Sequence, residues 1–435
     1  MWKHSVRVDR RRCVGCTNCI KRCLTQAIRV QNGKARIMDD LCVDCCECLI
    51  ACPHGAMVTA MSRMAQLTSF KFNIAVPSPA LYAQFKGLWD IEFVAEGLKN
   101  LGFDYVYEEA KAAEIVAEAT RDYLLSGMAA TPVISTFCPV VVRLVQQEYP
   151  ALVDNLLPIE APMEIAARLA KQEFCEMEGV SPEEVGVFHV SPCAARMTSA
   201  KKPISREKSC VDGVISILEI YGDLARFISR MEGEKPLMRA PRAGAFGVGT
   251  GMSGGVAVAT GTSRYLAVDG MANVVRCLEE LENGKLNDML FLELSACDCG
   301  CVGGPLTFEY SFLAKSRLRR IANSLPRLDF GCDEYVQRHK REDVVGLERP
   351  FAPKPVPRMG EDLITAARNM EKAEQILKGL PGLDCGSCGS PSCRALAEDI
   401  VKGTAVELDC IFKMRDKIRY MAQEMIALAD VHRRG

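Results

Sequence analysis

The chain has 435 residues, 25% of them charged and 49% hydrophobic, with a formal net charge of -1. That length holds a large core plus one or two small modules, and the balanced charge, with no basic tract, argues against nucleic acid as a partner. No apolar run reaches membrane-spanning length, and the opening residues MWKHSVRVDRRRC lack the apolar stretch of an export signal, so a cytoplasmic location without membrane insertion is expected.

The cysteine content is the outstanding feature: 22 cysteines against 5 histidines. A disulfide framework suits a short secreted chain, whereas this chain is long and groups its cysteines at short gaps. Many soft thiolates and few imidazoles favour iron–sulfur or thiolate–zinc chemistry.

The first module is expected over residues 1–65. CVGCTNCIKRCL (13–24) and CVDCCECLIACP (42–53) both carry the spacing C-x2-C-x2-C-x3-C, with 18 residues between the runs. Each iron of a 4Fe–4S cubane takes one thiolate; three closely spaced cysteines wrap one cluster and a distant one completes it. Cys13, Cys16, Cys19 and Cys52 are therefore assigned to one cluster, and Cys42, Cys45, Cys48 and Cys23 to the other. Cys46 is surplus. Structural zinc does not suit this interleaved register of eight cysteines. Between the runs, AIRVQNGKARIM (27–38) predicts a hairpin turning at Asn32-Gly33. The module resembles bacterial two-cluster ferredoxins. Pro53 follows the fourth cysteine of its run as that pattern expects, while Leu24 stands where the first run would have its proline.

From about residue 66 to 346 the texture changes. The runs FNIAVPS, PVISTFC, EVGVFHVSP and MLFLELSAC read as strands. GLWDIEFVAEGLKNLGF and APMEIAARLAKQEFCEM read as amphipathic helices, so the body is expected to be layered α/β. Three cysteine segments lie just past strands, where such folds place their sites: STFCP (135–139), SPCAAR (191–196) and SACDCGCVGGP (295–305). Together Cys138, Cys193, Cys297 and Cys301 make a four-thiolate set. The segment RAGAFGVGTGMSGGVAVATG (242–261) holds too much glycine for a plain helix and lacks a nucleotide-binding signature; it suits a close wall beside a cofactor. Cys175, Cys210, Cys277 and Cys332 stand alone and are expected to be core thiols.

Those three segments carry a resemblance to the large-subunit catalytic domain of iron-only (FeFe) hydrogenases. STFCP looks like that family's T-S-C-C-P, SPCAAR like M-P-C-x-x-K, and ELSACDCGCVGG like E-x-M-A-C-x-x-G-C-x-x-G-G. The resemblance spans roughly residues 70–340. It implies that Cys138, Cys193, Cys297 and Cys301 hold a central cubane, with Cys301 bridging to a two-iron subcluster bearing CO, cyanide and a dithiolate amine. It also implies departures. Phe137 stands where the family has a proton-relay cysteine, and Ser191 and Ser295 replace methionines. Arg196 replaces the lysine that hydrogen-bonds an iron cyanide, an exchange that keeps charge but not shape. Thr250 stands where the family has a phenylalanine. Cys299, between two of the implied ligands, is a candidate substitute relay.

Residues 347–362, LERPFAPKPVPRMGED, form a proline-rich connector. The following module, 363–410, carries Cys385, Cys388, Cys393 and Cys410 at C-x2-C-x4-C-x16-C, which suits another 4Fe–4S cluster, with zinc as the competing occupant. It resembles a small helical four-cysteine cluster domain found in hydrogenase-like proteins thought to be sensors. In the last segment, 411–435, Ile411, Met414, Ile418, Met421, Met425 and Leu428 follow an alternating three-and-four spacing, the seam of a dimerising helix or of one packed on its own domain.

The expectation is thus a hydrogenase-like α/β body, a small α+β ferredoxin-like domain before it and a small helical iron–sulfur domain after it. Three accessory 4Fe–4S clusters would accompany a central cubane linked to a two-iron subcluster. The activity implied is reversible H2 oxidation and proton reduction, slowed by the loss of the relay and serving H2 or redox sensing. A redox partner such as ferredoxin, a downstream signalling protein and a homodimer through the terminal helix go with it. A different redox enzyme on the same scaffold, and a cluster-carrying protein without the two-iron group, remain the alternatives.

Overall fold

The computed structural model describes residues 3–88, 90–231, 233–236, 243–327, 329–356, 359–360 and 362–433. Trp89 of the first helical stretch, Arg242 of the glycine-rich segment, three positions of the connector and the last two residues of the terminal helix therefore lie outside the described residues. The chain divides into two compact units: residues 1–6, 43–46 and 59–355, and residues 7–42, 47–58 and 356–435.

Strand β1 (Val6–Val8), whose Arg7 and Val8 belong to the smaller unit, leads to the first cysteine run. Strands β2 (Ile28–Gln31) and β3 (Lys34–Ile37) then form the expected antiparallel hairpin, with Ile28 opposite Ile37 and Gln31 opposite Lys34. Asn32 and Gly33 have φ of 51° and 69°, the doubly left-handed turn whose twist matches a two-residue hairpin. Strand β4 (Met57–Thr59) pairs with β1. The C-terminal part is helical: Leu363–Gly379, Cys393–Val401 and the long Ile411–Arg433. The seam residues Ile411, Met414, Ile418, Met421, Met425 and Leu428 are all exposed on that last helix.

The larger unit is mixed α/β, as expected. Its strands are β5 (Phe72–Pro77), β6 (Tyr105–Val106), β7 (Val133–Ile134), β8 (Val185–Ser191), β9 (Gly213–Ser216), β10 (Tyr265–Asp269) and β11 (Phe291–Ser295). They make two sheets, ordered β6-β5-β8-β9 and β10-β11-β7, and every pairing in them is parallel. Parallel neighbours need crossover connections, and the helices that supply them cover both faces. Hence β8, VGVFHVS, is buried at every position. In register, Phe72 faces Val185 and Pro77 faces Val190, while Phe291 faces Val133 and Leu292 faces Ile134. The neighbours β7 and β11 therefore start together, and each leads into a cysteine segment.

The glycine-rich segment is broken into two short helices, Ala245–Gly249 and Gly255–Thr260. Of the isolated cysteines, Cys277 is buried and Cys175 and Cys210 are half-buried, but Cys332 is exposed. That corrects the core-thiol expectation for Cys332: it sits in a surface turn, where its backbone N–H donates to the carbonyl of Asp329 at 3.0 Å. Among the described residues, no helix is long and apolar enough to cross a membrane.

Candidate metal centre

Cys138, Cys193, Cys297 and Cys301, drawn from three strand-end segments, line one cavity of about 810 Å³. Cys138 and Cys193 are the N-capping residues of helices Pro139–Glu148 and Ala194–Lys201. The exposed N–H groups and dipole of a helix start favour a thiolate there. Cys301 opens the short turn Cys301–Gly303.

Glycines within and just after the third run let three loops converge. A Cβ at Gly300 would lie 2.5 Å from the backbone nitrogen of Ser253, and one at Gly304 would lie 2.6 Å from the carbonyl oxygen of Pro192. Backbone hydrogen bonds complete the junction: Ser253 N–H to the Cys299 carbonyl (2.9 Å), Val302 N–H to Gly251 (3.0 Å) and Leu306 N–H to Pro192 (3.0 Å). The second cysteine motif, the third and the glycine-rich segment are thereby locked together.

Burial, then mutual repulsion, drives these thiols up: Cys193 to about 11 and Cys297 well above the ordinary value. Burial likewise pushes Cys301 up to about 12, against the lowering pull of Arg196. Buried thiols such as Cys193, Cys297 and Cys301, which resist ionisation without a counter-charge, suit a cationic metal centre. The residues present fit an iron–sulfur cubane, which takes one thiolate per iron.

Arg196, on helix Ala194–Lys201, is buried in the wall of this cavity and pairs with the buried carboxylate of Glu109, on helix Glu109–Leu125. Oε2 of Glu109 also meets Nε2 of His189 at 3.1 Å. Burial by itself would raise Glu109; Arg196 first and His189 second hold it instead at about 2. Burial lowers His189, and its Nδ1 is buried without a hydrogen-bond partner among the described residues. Also in the cavity wall, Glu293 accepts the backbone N–H of Gly254 (2.9 Å) and of Ala257 (2.8 Å), pinning the start of the second glycine-rich helix. Burial raises this carboxyl to about 7.

The remaining residues singled out in the sequence separate into groups. Phe137, Thr250 and Ser295 all line the cavity; the Thr250 hydroxyl is spent on the Gly247 carbonyl at 2.7 Å. Phe137 and Arg196 also line a second cavity, of about 500 Å³, whose far side carries Glu160 and Glu164. Ser191 is not in the wall of the central cavity. Its hydroxyl accepts the Cys193 N–H and donates to the Cys193 carbonyl, both at 3.1 Å, and so shapes the turn that presents Cys193. Cys299 is buried, with a left-handed φ of 67°, in an apolar cluster with Leu81, Val248 and Val302, and it is not part of the cavity wall.

In the smaller unit, Cys13, Cys16, Cys19 and Cys52 line one cavity of about 320 Å³. Cys385, Cys388, Cys393 and Cys410 line another of about 300 Å³. Each set offers four thiols, which suits a cubane, with His54 also in the first wall and Asp384 in the second. Of the second N-terminal set, Cys45 belongs to the larger unit and stands in the wall of the central cavity, while Cys23, Cys42 and Cys48 belong to the smaller one. Cys46 is buried.

Glu109 and His189 sit in no cysteine motif, and Glu293 opens the third, ELSACDCGCVGG, ahead of its cysteines. Their signal is chemical: a carboxylate or imidazole within a run that is otherwise apolar must find a partner once buried.

Residues 71–305 match the family described as iron only hydrogenase large subunit, C-terminal domain, and residues 380–412 match one described as putative Fe-S cluster. The chain is 24% identical to iron hydrogenase 1 of Clostridium pasteurianum, over 80% of its own length and 72% of that protein. It is also 24% identical to the NADP-reducing hydrogenase subunit HndD of Solidesulfovibrio fructosivorans, where the match takes in 51% of this chain and only 44% of the relative. Its fold is similar to that of a variant of FeFe-hydrogenase HydA1 from Chlamydomonas reinhardtii, with a TM-score of 0.51 at 16% identity, covering 67% of this chain and 98% of that one. The mixed α/β body, the cysteine-lined cavity and the match over more than half of the sequence agree: the chain belongs to the iron-only hydrogenase large-subunit family.

Proposed function

We propose that this chain is an iron–sulfur oxidoreductase of the hydrogenase type, acting slowly on H2, protons and electrons and serving to sense H2 or redox state. The observation that carries this reading is the convergence of Cys138, Cys193, Cys297 and Cys301 on one cavity that also takes Arg196 into its wall. Those four thiols would hold a central cubane, with Cys301 shared with a two-iron group. That group, when bound, supplies the site at which H2 is polarised and split.

The protein's own contribution divides among its residues. Arg196, fixed by Glu109, places a permanent positive charge and donor fork at the cavity wall. Thr250, Ser295 and Phe137 line the space beside it. A phenyl ring cannot carry a proton, so the position of Phe137 withholds the general acid–base help that typically contributes about 10²–10⁴-fold. Slow turnover suits a sensor better than a bulk catalyst.

The quartets Cys13/Cys16/Cys19/Cys52 and Cys385/Cys388/Cys393/Cys410 are accessory cluster sites, fed by a ferredoxin-like redox partner in the cytoplasm. The exposed seam of helix Ile411–Arg433 is the homodimer contact and the route to a signalling protein; sedimentation equilibrium of Ile418→Glu against the parent chain tests it, and an unchanged mass for the variant rejects it.

The deciding experiment is infrared spectroscopy of the chain matured anaerobically, alongside iron analysis. Iron-bound CO and cyanide bands, with H2-dependent changes, are the expected result. A full complement of cubane iron without those bands rejects the hydrogenase reading in favour of a cluster-carrying protein.

A further inference from the structure

The C-terminal cysteine module is seated on the β2–β3 hairpin, within the same compact unit. The free edge of β2 supplies the first contact: the backbone N–H of Val30 donates to the carbonyl of Gly389 at 2.7 Å. Gly389 lies between Cys388 and Cys393 and has φ of 86°. A Cβ there would fall 1.8 Å from the Val30 carbonyl oxygen, so only glycine admits this approach.

Beside it runs a buried ion pair. Arg29 reaches Asp399 through Nε at 2.5 Å and Nη2 at 3.3 Å, with side chains only 7% and 5% exposed. The Ser390 hydroxyl donates to the same Asp399 carboxylate at 3.1 Å, and Arg29 also donates to the Gln26 carbonyl at 2.8 Å. Ser392 Oγ donates to Gln26 Oε1 at 3.2 Å, and Gln31 Nε2 donates to the Thr404 carbonyl at 3.1 Å. A buried pair is destabilising unless both partners are met, so such a contact defines one seating rather than a loose tether.

The seating brings two cysteine sets to either side of one strand. Val30 lines the cavity of Cys13, Cys16, Cys19 and Cys52. Its hydrogen-bond partner Gly389 follows directly on Cys388, which lines the C-terminal cavity. Gly386, one residue after Cys385, packs on Ile20, one residue after Cys19: a Cβ at Gly386 would be 3.1 Å from Ile20 Cδ1.

We propose that Val30, Arg29 and Gly389 form an electron-transfer junction, through which the C-terminal quartet exchanges electrons directly with the Cys13/Cys16/Cys19/Cys52 quartet. The inference rests on the reading that both quartets hold iron–sulfur clusters. Electron tunnelling falls steeply with distance, and a wall one main chain thick, crossed by a hydrogen bond, is a short path. One electron crosses at a time, oxidising one side and reducing the other. No bond breaks and no proton moves. The electron comes from an external one-electron donor, a reduced ferredoxin-type protein or, in the test, dithionite.

The test uses the full chain, reduced anaerobically, with electron paramagnetic resonance line shape and spin relaxation as the readout. Three forms are compared: the parent, Gly389→Ala, which keeps every cysteine but forces the loop off Val30, and Cys385→Ser with Cys388→Ser, which removes the C-terminal cluster. The expected result is a broadened, fast-relaxing N-terminal signal in the parent that sharpens and slows in both variants, with parent-level iron retained in Gly389→Ala. Should Gly389→Ala not fold, the double cysteine variant carries the comparison alone. An N-terminal signal unchanged when the C-terminal cluster is lost overturns the junction. Iron content that does not fall in the double cysteine variant overturns both the junction and the cluster reading of that module.

Discussion

Glu109 closes on Arg196 at the wall of the cysteine-lined cavity, and both are buried. The carboxylate is shared with His189, 3.1 Å away on β8, so one helix, one strand and the segment after Cys193 meet at a single acidic group. Arg196→Ala would leave Glu109 as an uncompensated buried charge, and removing one partner of such a pair costs about 3–5 kcal/mol. Anaerobic urea denaturation should show a loss of that order. Adding Glu109→Gln should restore part of it, because the stranded charge is gone. A loss under about 1 kcal/mol for Arg196→Ala would mean that the pair does not hold this wall together.

Phe137 occupies the cavity wall between the central cavity and the second, carboxylate-bearing one. Phe137→Cys introduces a titratable group there. H2 evolution by the matured protein should rise by about 10²–10⁴-fold if proton supply is limiting, with infrared bands in place. An unchanged rate with intact bands would locate the slow step elsewhere.

Two cysteines two residues apart in sequence should behave oppositely. Cys297 lines the cavity, whereas Cys301 follows it into the same wall and Cys299 between them is packed in the apolar cluster. Cys297→Ser should therefore lower bound iron by about four atoms per chain, while Cys299→Ala leaves iron content intact. Equal iron loss in both would show that Cys299 is a ligand.

Glu293 makes stability fall with rising pH. Burial raises its folded-state value to about 7, above the ordinary 4.5. Below the lower value both states are protonated and the group has no effect. Between the two, the unfolded chain ionises and the folded one resists, so stability is lost progressively, and above about 7 the whole loss is present. At about 1.4 kcal/mol per unit this reaches on the order of 3 kcal/mol. Unfolding of iron-free chain at pH 5 and pH 8 should show a drop that Glu293→Gln flattens. A parent and variant with parallel pH dependence would remove Glu293 as the cause.

Much of this molecule is legible in one dimension, because its chemistry is local. The hairpin at Asn32-Gly33, strands β5, β8 and β11, and helix Pro162–Glu178 follow from turn chemistry and short apolar runs. Strand β10, which supplies no cysteine and is half-buried throughout, carries only the four-residue apolar run YLAV. Cys332 shows the opposite error: an isolated cysteine reads as core, but exposure depends on what packs over it, which no spacing records.

By itself the sequence determined which cysteines can act together, since a cubane's need for four thiolates is met by short repeated gaps. It also determined that the cavity would lack a thiol at Phe137 and carry a guanidinium at Arg196, because side-chain chemistry is a property of the residue alone. The tertiary structure decided the rest. It set Cys299 in the core while its neighbours two positions away reached the cavity, because a left-handed φ and the Ser253 contact turn that residue inward. It paired Glu109 with Arg196 and His189 across long sequence separations, and seated Gly389 on Val30. Such contacts depend on burial and on the meeting of distant loops, and these exist only once the sheets have formed.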